Sequence, residues 1–164
     1  MKITFCGHKD VADREAVERW LCSVCSDLIT QGADEFYLGG YGGFDYMCAA
    51  VLRELKRANP NIRLILVLPY LNSSMLTDGY DETIYPPLES VPKRFAISRR
   101  NEWMVRESDA VVAYVTHGWG GAAKTLEYAL RPSRASGPRR APRAACRASW
   151  RGPAPGCRSG RSRA

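Results

Sequence analysis

No lysine and no acidic residue follows position 130, and residues 131–164 also lack Val, Ile, Leu, Met, Phe and Tyr. A stretch so poor in core-forming side chains is expected to be disordered. It holds ten of the 24 basic residues, all of them arginine, which leaves 14 basic against 17 acidic residues in 1–130. The formal charge of +7 therefore conceals a mildly acidic body of net charge −3. That body carries no electrostatic footprint for nucleic acid, so nucleic acid is expected as a partner only through non-specific contact with the tail. Two readings fit the tail. One is an arginine-rich arm that grips phosphates. The other is GC-rich coding DNA read in a shifted frame, which gives Arg, Ala, Pro, Gly and Ser, and the composition favours this one.

Nor is there an apolar run of 18 residues, so no transmembrane helix is indicated. The opening "MKITFCGHKD" does not have the pattern of a signal peptide, and a cytoplasmic location is expected. The six cysteines have no regular spacing, which argues against a disulfide framework. Cys22 and Cys25 form a C-x2-C without a second ligand pair and read as ordinary helix residues. Neither a metal nor a cofactor is expected.

What is present is an alternation of β-rich and helical stretches. "KITFCG" (2–7) ends in glycine, and Asp10 is placed to cap a helix in which Val17, Leu21, Val24 and Leu28 recur before Gly32. "EFYLGG" (35–40) predicts a second strand and "DYMCAAVLRELKRA" (45–58) a second helix. "IRLILVLPY" (62–70) is apolar almost throughout, as a strand buried on both faces of a parallel sheet should be. A polar stretch from about 71 to 92 reads as a surface loop. A helix over "KRFAISRRNEWMVRESD", a fourth strand over "AVVAYVT" (110–116) and a helix over "GGAAKTLEYAL" (120–130) complete the pattern. The class is α/β, a doubly wound and mostly parallel sheet over residues 1–130. The tail supplies no β-branched residue to cover the last strand, so the sheet is expected to lack its final strand. The open edge would then invite self-association.

Glycine clusters mark the turns. "YLGGYGGFDYM" places Gly39, Gly40, Gly42 and Gly43 where the second strand meets its helix, and "THGWGGAAKT" places Gly118, Gly120 and Gly121 after the fourth. Bare amides at a helix N-terminus suit an anion, most often a phosphate. "CGHKD" brings Gly7, His8 and Lys9 to the same carboxyl edge, where such folds bind ligands. Neither loop is a G-x-x-x-x-G-K-[ST] P-loop.

"ITFCGHKD", "GGYGGFD", "LILVLPY", "RRNEWMV", "SDAVVAYV" and "GGAAKTLEYA" together resemble the SLOG superfamily, the Rossmann-like group of Smf/DprA and LOG proteins. Within it the likeness is to small bacterial proteins of the YspA/YpsA type, over residues 1–130. The resemblance implies a nucleotide or nucleotide-derived ligand at the carboxyl edge, in a sensing or signalling role. It also implies a further strand after the "TLEYA" helix. LOG-type members are phosphoribohydrolases with a Pro-Gly-Gly-x-Gly-Thr-x-x-Glu motif and an upstream arginine. Thr125-Leu126-Glu127 is similar to the end of that motif, and Arg99 or Arg100 to the arginine. By this likeness Glu127 would stabilise an oxocarbenium-like centre or activate water, with Arg100 on the phosphate. The segment departs from the motif in lacking the proline and in having two extra residues before the threonine. The plainer reading makes Glu127 an early-helix acid and both arginines a solvated helix face. DprA-type relatives imply a third role, on single-stranded DNA, against which the acidic body speaks.

Asp45 is placed to cap the second helix or to accept a ribose hydroxyl, with capping the favoured role. His8 and His117 suit phosphate contact or proton transfer but read first as bystanders. Trp103, Met104 and Trp119 are candidates to stack on a base, or else to be buried.

Overall fold

The computed structural model describes residues 1–71, 77–131 and 145–150. Its elements are, in order, β1 (Lys2–Gly7), α1 (Arg14–Thr30), β2 (Glu35–Leu38), α2 (Gly43–Ala58) and β3 (Arg63–Val67). Then follow β4 (Glu82–Ile84), α3 (Lys93–Glu107), β5 (Ala110–Tyr114), α4 (Gly120–Leu130) and β6 (Ala145–Ser149). The sheet has the order β4-β3-β2-β1-β5-β6, and every neighbouring pair is parallel. This is the expected doubly wound α/β architecture of Rossmann-like form. No helix among the described residues is long and apolar enough to cross a membrane.

Strand periodicity divides the apolar side chains between two faces. Ile3, Phe5, Phe36, Leu38, Leu64, Ala110, Val112 and Tyr114 join one buried cluster with the inner faces of α1 and α2. The alternate residues Cys6, Val111 and Ala113, and Tyr37, Ile65 and Val67, lie in clusters with residues of α3 and α4. Helix α1 buries Val17, Leu21, Cys25 and Leu28, so Cys25 takes the inward place expected of Val24. Burial pushes the Cys25 thiol up to about 12, which removes it from thiolate chemistry. No metal-binding group of side chains occurs among the described residues.

Three expectations need correction. The cap of α1 is Asp13, not Asp10: Asp13 adopts a left-handed conformation and its Oδ1 accepts from the amide of Ala16 at 3.2 Å. The supposed loop 71–92 contains β4, only three residues long, which pairs with β3. Asp81 positions it, accepting from the amide of Leu64 at 2.7 Å and from Lys56.

The third concerns the edge expected to be open. β6 lies alongside β5, and the amide of Trp150 donates to Ala113 O at 3.1 Å. β5 is buried along its whole length, so an unpaired row of its N–H and C=O groups would be costly. Backbone pairing meets that need without β-branched side chains. Trp150 adds an apolar body, packing edge-on against Trp20 at 5.6 Å between ring centroids. The rest of the stretch expected to be disordered, 132–144 and 151–164, lies outside the described residues.

Candidate functional site

β1 sits between β2 and β5. The chain reverses its direction of winding there, which opens a crevice at the carboxyl ends of the strands. A cavity of about 690 Å³ occupies that place. Of the residues expected to form a site, Gly7, His8, Lys9, Gly39, Gly42, Asp45, Arg100, Gly120, Gly121 and Thr125 line it. Gly40, Gly43, Arg99, Gly118 and Glu127 do not.

The two glycine loops serve different ends. In the first, the space of a side chain is already taken by the protein itself. A Cβ on Gly7 would lie 2.1 Å from the ring of Phe44, and one on Gly43 would lie 2.5 Å from Lys9 O. A Cβ on Gly39 would meet Asp45 Oδ2 at 2.8 Å and Arg100 Nη1 at 3.0 Å. Gly42 has φ +91°, and a Cβ there would lie 3.1 Å from the Lys9 Cα. The amide of Gly43, the first of α2, donates to Lys9 O at 2.9 Å. At Gly7, Gly39, Gly42 and Gly43 the room for a side chain is thus taken by Phe44, the Asp45–Arg100 pair and Lys9, while Gly7, Gly39 and Gly42 still border the cavity. In the second loop a Cβ on Gly118, Gly120 or Gly121 would meet nothing within 4 Å. Trp119, the N-cap of α4, makes no side-chain cap bond, and the first turn holds no acid. The first amides of such a helix have no intrahelical acceptor and carry the positive end of its dipole.

Arg100 is 1% exposed, which corrects the reading of it as a solvated helix face. Its Nη1 donates to Gly39 O and to Val67 O, both at 2.6 Å, while its Nε is buried without a hydrogen-bond partner. Burial lowers its pKa and the nearby Asp45 carboxylate raises it, burial being the larger effect. The Asp45 carboxyl is pushed up by desolvation, against the pull of Arg100 and the amides of Tyr41 and Gly39. Asp45 Oδ2 accepts from Tyr41 N at 3.1 Å, so this residue ties down the chain just ahead of α2 from within its first turn. Arg99 does match the solvated reading, for it pairs with Glu102 at 2.8 Å on the exposed side of α3.

His8 is buried and anchored. Its Nδ1 accepts from the amide of Thr116 at 3.1 Å, and Nε2 lies 3.4 Å from Trp119 O. Those partners fix the neutral tautomer with the proton on Nε2. Burial, and then the neighbouring His117, hold the His8 pKa below its ordinary value. The His8 ring stacks on His117 at 3.5 Å, and His117 stacks on Trp119 at 3.9 Å. His117 Nδ1 is buried and has no hydrogen-bond partner.

Glu127 stands apart from all of this. Thr125 is buried, donates from its hydroxyl to Gly121 O at 2.9 Å and faces the cavity. A residue two positions further along a helix points about 200° away. Glu127 is accordingly exposed and accepts from Arg131 at 2.8 Å. The structure thus separates Glu127 from Arg100, its expected catalytic partner.

Sequence reasoning passed over Tyr41, Ile97, Asn101 and Thr116, which also line the cavity. Three of these had little to mark them. Asn101, whose Nδ2 donates to Thr125 Oγ1 at 3.3 Å, had a signal. Ile97, Arg100, Asn101 and Met104 have the spacing of a single helix face, and a polar pair inside such a stripe points to a lined cavity. Comparison with known proteins yields no match, either to a family model or to a curated protein.

Proposed function

We propose that the chain binds the phosphate of a nucleotide or nucleotide-derived ligand in this cavity, in the manner of a SLOG-type sensing or signalling module. The observation that carries the reading is the open room over Gly120 and Gly121 at the uncapped start of α4. It is joined in the cavity lining by Arg100, a buried cation near Asp45 whose Nε has no hydrogen-bond partner. Free amides, a helix dipole and a desolvated guanidinium together form a binding site for an anion. Glu127, the carboxylate expected to serve a phosphoribohydrolase, is exposed and paired with Arg131, which favours the binding reading. The test is a thermal-shift screen against nucleoside mono-, di- and triphosphates. Wild type should gain melting temperature with at least one of them, and Gly121→Val, which fills the open room, should not. Equal stabilisation of both proteins would refute the assignment.

A further inference from the structure

We infer that the base of this ligand stacks on Trp119, extending the column already formed by His8 and His117. The inference rests on the nucleotide reading proposed above and adds the residue that receives the base.

The three rings lie nearly parallel, with interplanar angles of 16° between His8 and His117 and 22° between His117 and Trp119. The column is fixed at its inner end, where His8 is bonded to Thr116 and to the Trp119 backbone. At its outer end Trp119 has one face on His117, yet the residue is 72% exposed. All three rings border the cavity. An indole held in place at one face and left in water over the rest offers a rigid surface to a second ring.

The other aromatic groups nearby are already engaged. Trp103 stacks on Tyr37 at 5.8 Å and packs against the core of the sheet. Tyr41 has the Arg100 guanidinium over its ring at 5.5 Å. Trp119 alone among these three combines a free ring surface with a position directly before the first amides of α4. Ring and anion are therefore received by adjacent residues. A nucleoside monophosphate has this shape. Inorganic phosphate and sugar phosphates lack the ring.

Titration of the purified full chain with ribose 5-phosphate and with the adenosine, guanosine, cytidine and uridine 5′-monophosphates, followed by calorimetry, tests the inference. At least one monophosphate should bind about tenfold or more tightly than ribose 5-phosphate, the scale expected of base stacking on an aromatic side chain. Trp119→Ala should abolish that advantage, so that the monophosphates bind this variant no more tightly than ribose 5-phosphate does, while Trp119→Phe should keep most of it. If all four monophosphates bind no better than ribose 5-phosphate, or if Trp119→Ala keeps the full advantage, the ring assignment falls and the phosphate site stands. If neither ribose 5-phosphate nor any nucleoside mono-, di- or triphosphate binds, the phosphate site falls and the ring assignment falls with it.

Discussion

Arg100 and Gly39 are joined by a 2.6 Å hydrogen bond from guanidinium to carbonyl, and the same Nη1 reaches Val67 O at the same distance. One side chain from α3 thus ties together the carboxyl ends of β2 and β3. A buried carbonyl that loses its donor is costly. The tie also explains the glycine, since any Cβ at position 39 would press on this guanidinium.

Arg100→Met should therefore destabilise the fold by about 3 kcal/mol in urea unfolding, because it orphans two carbonyls and leaves Asp45 without its counter-charge. Arg100→Lys should recover less than half, since an ammonium lacks the planar fork. A loss below about 1 kcal/mol for the methionine variant would show that the tie carries little of the stability.

The two glycine loops should respond oppositely to a single methyl group. Gly43→Ala forces a Cβ to 2.5 Å from Lys9 O and should cost about 2 kcal/mol or more. Gly121→Ala meets open space on a helix and should be neutral or stabilising by about 0.5–1 kcal/mol. Thermal denaturation of the two variants side by side provides the comparison, and equal losses would contradict the division between the loops.

His8 sets a pH dependence whose sign follows from its lowered pKa. The unfolded chain takes up a proton near pH 6.5, whereas the folded chain resists it until lower pH. Stability should therefore be full above about pH 6.5 and decline as the pH falls from there through the lowered folded value. His8→Asn should flatten that decline in melting curves recorded between pH 5 and pH 8. An unchanged slope would assign the effect to other groups.

Glu127→Gln should alter little. Its partner Arg131 is also exposed, and an exposed i,i+4 pair screened by water contributes little to stability. Incubation of wild type and variant with nucleoside monophosphates should give the same yield of free base by chromatography. A loss of base release confined to Glu127→Gln would restore that residue to a catalytic role.

Truncation after Leu130 should lower the melting temperature and speed amide exchange in β5, because it strips away β6 and the bond from Trp150 to Ala113. Hydrogen exchange read at residues 110–114 is the direct measurement. Unchanged protection there would mean that β6 adds nothing to the edge.

The sequence showed the parts of this fold whose signals span many residues. "IRLILVLPY" and "AVVAYVT" are apolar on both faces, and each central helix repeats its buried positions over three or four turns. β4 stayed hidden because "ETI" is too short to show any period, and its place is set by the contacts of Asp81. β6 stayed hidden because "ACRAS" lacks every marker of strand propensity and is held by backbone pairing. In the site, glycine spacing located the cavity but did not tell which loop was filled by protein and which was open. That distinction depends on Lys9 and Arg100, which lie far from the glycines in sequence and reach them only in the fold. The stacked histidines were likewise invisible, since residues 8 and 117 meet only because β1 and β5 are neighbours.

The bond between Lys9 O and Gly43 N has a mechanical meaning for the cavity. It fastens the turn after β1 to the start of α2, as Arg100 fastens the ends of β2 and β3 to α3. The cavity resembles a vice with one fixed jaw. On the other side, the turn from Thr116 to Gly121 is held at His8 and by stacked rings, and three of its glycines have no neighbour to press against. The two walls are therefore built differently: backbone and guanidinium bonds hold one, and ring stacking on a buried histidine holds the other.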